Sequence, residues 1–394
     1  MESYIGDWLN LLLRWLHVIT GIAWIGSSFY FVFLDSSLVK PKSQELIDKG
    51  VDGELWAVHG GGFYNPQKYM VAPKQLPEHL HWFYWESYWT WMSGFALFVV
   101  LYLFNAQTFL IDKNVFAWES SAAAIAASLV YLVMGWLVYD GICRVFGQKQ
   151  NGDVIVGVLV FIYVILATFV ACHLFAGRAA FLLTGASLAT AMSANVLMVI
   201  IPGQRKTVAA MKAGEKPDPI HPMRAKQRSV HNTYFTLPVL FAMLSNHYSM
   251  TYSAQYNWLV LVVIMLAGAL IRQFFVLKHK GRKDYKFFVI GGVLLAGVAA
   301  WIAPAPPTSV APAATPKLAE IQSIVEQRCA MCHNAQVISK NIQLHTPELI
   351  VKNAQAMYQQ AVVTRIMPMS NATQITEEER AKIGAWVKAG AKAD

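Results

Sequence analysis

Long apolar runs alternate with short charged loops along most of the chain, and this alternation is the first thing the sequence offers. Eight stretches, near 8–34, 85–105, 117–139, 153–173, 179–201, 231–248, 256–277 and 286–303, are long and apolar enough to form helices across a bilayer, a span that takes about 20 residues. The sixth carries the weakest signal, because it is short and Pro238 interrupts it. A proline is tolerated in such a helix when neighbouring helices satisfy the freed carbonyl.

After Trp301 the pattern stops. "APAPPTSVAPAATPK" is a semi-rigid proline- and alanine-rich linker, extended rather than packed. From about 317 the composition becomes ordinary and polar. "KLAEIQSIVEQR" predicts one helix and "TEEERAKIGAWVKAG" a closing one, with Thr376 as N-cap, Glu379 completing a capping box and Gly390 at the end. The expected architecture is all-α: a polytopic membrane domain of about eight transmembrane helices over 1–303, a linker over 304–316, and a small helical domain over 317–394.

Composition supports the bilayer. Hydrophobic residues make up 56% of the 394 and charged residues only 14%, where a soluble domain carries nearer a quarter charged. The formal charge of +9 does not point to nucleic acid, because the basic residues gather in the loops. The loops after helices 1, 3, 5 and 7 hold nineteen Lys or Arg, against two in the loops after helices 2, 4 and 6. By the positive-inside rule both termini face outward, which in a Gram-negative bacterium is the periplasm. "MESYIGDW" lacks the basic n-region of a cleavable signal. Cys143 and Cys172 lie near opposite ends of a span and are expected to be small packing residues.

Chemistry is densest in "VEQRCAMCHNAQ". Cys329 and Cys332, one helical turn apart, would each bond a haem vinyl group, and His333 would ligate the iron. No second CxxC is present to complete a zinc site, and no βαβ pattern suggests a thioredoxin-like fold. "TRIMPMSNAT" offers Met367 and Met369 as the sixth ligand. Met367 is preferred, because its MP dipeptide before the last helix resembles the ligand loop of small class I cytochromes c, the fold this resemblance implies for 317–394, with Met369 left open; a Met/His pair raises the potential and suits an electron acceptor.

Polar groups within the spans form two sets, and ionisable residues there are functional candidates by default. At the basic-loop end, helix 2 presents Glu86 with Thr90 and Ser93. Helix 3 stacks Trp136, Asp140 and Arg144 four apart, helix 6 opens with His231 and Asn232, and Asn195 lies nearby in helix 5. An acid, a base, an arginine and aromatic rings at one level would bind a planar anion. The competing reading makes Asp140 and Arg144 a simple helix-end pair. Toward the other end, Arg14, His17, Gly21 and Trp24 run down one face of helix 1, with His173 and His247 at the ends of helices 4 and 6. Facing histidines would hold a b-type haem; the competing reading is a hydrogen-bonded core histidine.

"RWLHVITGIAWIGSSFYFVFLDSSL", "LHWFYWESYWTWMSG", "AKQRSVHNTYFTLPVLFAMLSNHY" and the terminal "CAMCH" together resemble the bacterial integral-membrane urate oxidase (urate hydroxylase) family, over essentially the whole chain. The resemblance implies an oxidoreductase of purine catabolism. It would hydroxylate urate to 5-hydroxyisourate and pass electrons through haem c to other cytochromes and a terminal oxidase, not to dioxygen. The chemistry needs a cation, a stacking ring and a base, which Arg144, Trp136 and one of Glu86, Asp140 or His231 would supply. A bilayer core about 30 Å thick then demands either a relay near His17 or a substrate site near Arg14. The alternative of a different class is a quinol-oxidising electron-transfer module with a tethered cytochrome c.

Overall fold

The computed structural model describes residues 2–70, 73–303, 315–335, 342–368, 371 and 373–393. The apolar runs become α1 (Glu2–Ser37), α2 (Trp85–Phe98), α3 (Ser121–Phe146), α4 (Gly152–Leu174), α5 (Gly177–Ala194), α6 (Ile220–Leu244), α7 (Asn257–His279) and α8 (Lys286–Trp301). One wide turn over Val99–Leu103 prolongs α2. Another, Asn195–Ile200, joins α5 to a continuation over Ile201–Lys212. Among the described residues, five helices are long and apolar enough to cross a membrane: Tyr4–Ser37, Ser121–Phe146, Gly152–Leu174, Gly177–Lys212 and Asn257–His279; Lys286–Trp301 is apolar but shorter.

Helix ends differ from those the apolar runs predict, and the reason is polar pairing. α3 begins later than expected, at Ser121, where the Ser120 side chain accepts from the Ala123 amide. It continues to Phe146, because Asp140 and Arg144 satisfy one another within the helix. α6 starts at Ile220 and carries "HPMRAKQRS", which the hydropathy pattern assigns to a loop. Between α1 and α2 the chain also forms short strands that the pattern does not signal. β1 (Gly53–Glu54) pairs with β4 (Gln67–Lys68), and β2 (Ala57–His59) forms a hairpin with β3 (Gly62–Tyr64).

Small residues let the helices meet. A Cβ on Gly185 in α5 would stand 2.5 Å from the Ala242 Cβ in α6. One on Gly268 in α7 would come within 3.2 Å of Leu237 and 3.4 Å of Pro238. In a bilayer, where lipid is as apolar as leucine, such close packing is the main attraction between helices. Side-chain to backbone hydrogen bonds add to it, as from Trp118 Nε1 to the Leu174 carbonyl (2.7 Å) and from the Tyr131 hydroxyl to that of Ala167 (3.1 Å). The core centres on Leu110, Phe175, Phe181, Leu183 and Leu261. α1 stands apart, packed chiefly along α2, with Trp8, Leu12, Trp15 and Ile19 exposed.

Residues beyond the linker close a core of their own around Ile321, Val325, Ile350, Ile383 and Trp386. Of the predicted linker, 304–314 lies outside the described residues. The expected helices are α9 (Leu318–Arg328) and α12 (Glu377–Lys388), with α10 (Pro347–Lys352) and α11 (Ala354–Met357) between them. The capping box of Thr376 and Glu379 is present, and Gly390 ends α12 with φ +100°. Arg328, the residue before the first tail cysteine, is clamped to the closing helix. Its Nε and Nη2 donate to Glu379 at 3.0–3.1 Å and its Nη1 to the Thr373 carbonyl at 2.7 Å. Burial works to raise the Glu379 pKa, but the Arg328 donors and the Thr376 amide outweigh it and hold the carboxyl below its usual range.

Two outcomes follow from this packing. Gly185→Ala should destabilise the detergent-solubilised protein by about 1–3 kcal/mol, the usual cost of overpacking, and Ala242→Gly in the same chain should recover most of it; the thermal midpoints of the three chains measure this. Because the folded Glu379 carboxyl has the lower pKa, its contribution is present above the ordinary carboxylate range and lost as pH falls through the folded value. Glu379→Gln should therefore cost about 2 kcal/mol near neutrality and progressively less in acid, read as faster hydrogen exchange in Glu377–Lys388.

Candidate functional site

The polar residues of α3, α5 and α6 converge where these helices pack. Asp140 accepts from Arg144 Nε at 2.5 Å and from Arg228 Nη2 at 2.7 Å. Arg228 Nη1 donates to Asn195 Oδ1 at 3.1 Å. The Asn195 amide donates to the Tyr139 hydroxyl (3.0 Å) and to Asn232 Oδ1 (2.8 Å), while Asn232 Nδ2 caps the Met192 carbonyl (3.0 Å). Tyr139 and His231 Nδ1 are hydrogen-bonded at 2.8 Å, with Cys143 Sγ 3.8 Å from the same nitrogen. Trp136 and Tyr139 present their rings to the Arg228 guanidinium, 5.8 and 5.0 Å from it.

Local structure explains the convergence. Trp136, Asp140 and Arg144 recur every fourth residue of α3, while Arg228, His231 and Asn232 fall three and four apart on α6, so each set shares a face. Asn195 opens the wide turn of α5, an irregularity that often marks functional positions. Asp140, Arg228, Asn195, Asn232 and Tyr139 are all buried. Arg144 is not: its side chain is 69% exposed against 5% for Arg228, so the buried cation is Arg228.

Of the residues expected here, Trp136, Asp140, Arg144, His231, Asn232 and Asn195 are brought together. Glu86 is not; among the described residues its carboxylate makes no hydrogen bond or ion pair with them. Arg228 and Tyr139 are the additions. Arg228 sits in "AKQRSVHN", three residues before His231, and helical spacing would have placed it on the same face had α6 been started earlier. A cavity of about 230 Å³ opens beside the cluster, lined by Arg144, Arg228 and Cys143 and by Lys206, His221 and Arg224. Four cations around it and one buried acid leave it electropositive, suited to an anion.

The histidine set does not converge in the same way. His17 Nδ1 is bonded to the Thr90 carbonyl (3.0 Å) and Ser93 Oγ (3.2 Å), and Gly94 lets the ring lie against α2, where a Cβ would stand 2.8 Å from Cε1. This anchoring leaves Nε2 open, as second-shell bonds do for metal-ligating histidines. His173 turns back to the Phe169 carbonyl of its own helix (2.7 Å), and among the described residues no hydrogen bond joins either His173 or His247 to His17. Arg14 donates to Asn10, on its own helix. Among the described residues no three His, Cys, Asp or Glu side chains cluster as a metal site.

In the tail, α9 ends at Cys329, and the amides of Cys332 and His333 both bond to the Cys329 carbonyl at 3.1 Å. Both thiols are free of disulfides, and burial raises that of Cys329 to about 11. His333 Nδ1 is 3.0 Å from the Ile342 carbonyl. With that nitrogen donating, Nε2 is left for iron, so the three residues fit a covalent haem. Met367 is held by its backbone, its amide bonding to Gln360 (3.0 Å) and its carbonyl to Arg380 (2.9 Å). Met369 lies outside the described residues.

No curated protein and no solved structure matches the chain. One family, described as urate oxidase N-terminal, matches residues 3–303, which takes in all eight helices of the first core and leaves the CxxCH tail outside. With most of its length so matched, the chain belongs to the urate oxidase N-terminal family.

Proposed function

We propose that this protein oxidises urate within the membrane, at the cluster of α3, α5 and α6, and that the tail carries the electrons away. The observation supporting this most directly is the buried Arg228. It is fixed by Asp140 and Asn195 and lines an electropositive cavity, inside the region that matches the urate oxidase family. Urate and water give 5-hydroxyisourate with release of two electrons and two protons. Arg144, Lys206 and Arg224 draw the anion in, and Arg228 holds it against the Trp136 ring. Two arginines occupy the Asp140 oxygens, so Asp140 positions Arg228 and does not serve as a base. His231, oriented through Nδ1 by Tyr139, presents Nε2 for moving a proton.

The tail residues extend the proposal. Cys329 and Cys332 would bind a haem c covalently, with His333 and Met367 on its iron; once bound, this group supplies one-electron acceptance. By the loop charges, the cytochrome lies on the outer, periplasmic face of a bacterial cell membrane carrying about eight spans. Other cytochromes and a terminal oxidase would then be its acceptors. The substrate cluster lies at the opposite, basic-loop end, so electrons must cross about 30 Å of hydrocarbon. His17, anchored through Nδ1 with Nε2 open, is the residue we assign to a relay on that route.

Added anaerobically to the oxidised, detergent-solubilised protein, urate should bring up the reduced haem α-band, with 5-hydroxyisourate formed and no peroxide. Arg228→Gln should keep its covalent haem and lose about 100-fold or more in kcat/KM, as loss of a preorganised charge at a reacting anion does. Reduction by a quinol and not by urate would instead make the chain a quinol-oxidising carrier. His17→Ala should abolish any non-covalent haem absorbance and leave that of haem c intact; an unchanged spectrum would remove His17 from the relay.

A further inference from the structure

Arg272 of α7 is buried, 4% exposed, on a helix that packs against α6. Its Nε and Nη2 are sealed from solvent without a hydrogen-bond partner; among the described residues only one other buried side-chain atom, Asn371 Oδ1, shares that condition. Among the described residues no carboxylate pairs with it. The guanidinium carbon lies 3.8 Å from the centre of the Phe29 ring on α1. Beside it the Tyr234 hydroxyl of α6 donates to Gln273 Oε1, so three helices meet around this one charge.

A ring covers one face of a guanidinium but accepts none of its five N–H groups in the guanidinium plane. Buried polar side chains are almost always satisfied, and an isolated buried charge is among the most costly groups a protein can keep. Arg228, one helix away, shows how this chain treats a buried guanidinium that it satisfies itself: an aspartate and an asparagine are supplied. Nothing comparable is supplied to Arg272. The other cations and rings nearby do not substitute. On its own helix Lys278 and His279 follow, both unable to balance a positive charge, and His279 stacks edge-on against Phe33 of α1. On α6 the nearest titratable group is Tyr234, already donating to Gln273.

We propose that Arg272 is the cation of a second ligand site between α1, α6 and α7, and that the site takes an oxyanion. With one face against Phe29, its donors are offered around the edge, the geometry that meets the paired oxygens of a carboxylate, phosphate or urate-type anion. Arg272 precedes the end of α7 by seven residues, about 10 Å of helix rise. That depth is reachable by a small organic anion entering from the basic-loop end or by the headgroup of an acidic phospholipid between the helices. The site does not depend on the urate reading of the Arg228 cluster, and the test separates the two.

The experiment uses the full chain in detergent, haem oxidised and oxygen excluded. Arg228→Gln alone is compared with Arg228→Gln/Arg272→Met, so that binding at the first cluster is removed from both. Urate and, separately, phosphatidylglycerol in mixed micelles are titrated while the thermal midpoint is followed. The expected result is that one probe raises the midpoint of the single variant, and that the Arg272 replacement weakens this binding by about 30-fold or more. A response to urate identifies a soluble organic anion as the occupant, a response to the lipid alone a headgroup. Without probe, Arg272→Met should be at least as heat-stable as its parent, since it deletes an unbalanced charge; if it does not fold, Arg272→Gln takes its place. If neither probe shifts the single variant, or both shift the two chains equally, Arg272 takes no oxyanion and the proposal falls.

Discussion

Everything in the membrane region depends on what is done with positive charge away from water. Moving an ion into a low-dielectric interior costs several kcal/mol even after relaxation, and only good pairing recovers it. Asp140 meets that constraint for α3 and α6 together. One carboxylate accepts from Arg144 on its own helix and from Arg228 across the interface. The Arg228 fork also reaches Asn195, which ties α5 to the same point. Removing Asp140 or Arg228 would leave a buried group short of partners, so the network fixes the registry of three helices as well as the shape of the cavity beside them.

The tail answers to a different constraint. Its core is small, and a fold of this size is marginal on apolar burial alone. The Arg328–Glu379 clamp and the capping box share the same carboxylate, which accepts from Arg328 and from the Thr376 amide at once. That places a charge-assisted clamp next to Cys329, just past the end of α9. A covalent group at Cys329 and Cys332 would add to the same core from within. The family match ending at residue 303 is consistent with the two cores having separate histories.

How much of this was legible in the sequence depended on whether hydropathy and chemistry agreed. Where an apolar run was continuous, as in α4 or α7, the helix stood close to where periodicity put it. The capping box of α12 was legible because it is a local rule. The Asp140, His231 and Asn232 group was legible because polar residues in an apolar run stand out. Arg228 was not, since "AKQRS" reads as a topogenic loop by charge, and only tertiary pairing shows that α6 carries it into the protein. Glu86 had the right residue type at the right depth, but its side chain does not join the cluster. Arg272 was hidden for the opposite reason: a single arginine near the end of a long apolar helix is ordinary until its burial and lack of partners are known.

In the helical region over 3–303 the buried arginines Arg228 and Arg272 set the limits of what the fold does by itself. They lie on helices that pack against each other, α6 and α7, and share one ring-to-cation device, Arg228 with Tyr139 and Arg272 with Phe29. They differ in hydrogen bonding. Arg228 is held rigidly by two partners, which suits a group that must be in place before a substrate arrives, since preorganised charge is what lowers a barrier without reorganisation. Arg272 is held only by packing. A charge kept in that condition is tolerable where something else completes it, and the same reasoning that makes Arg228 part of a built site makes Arg272 half of one. Because α6 and α7 pack together, a ligand settling on Arg272 would lie against the α6 that also carries Arg228, His231 and Asn232.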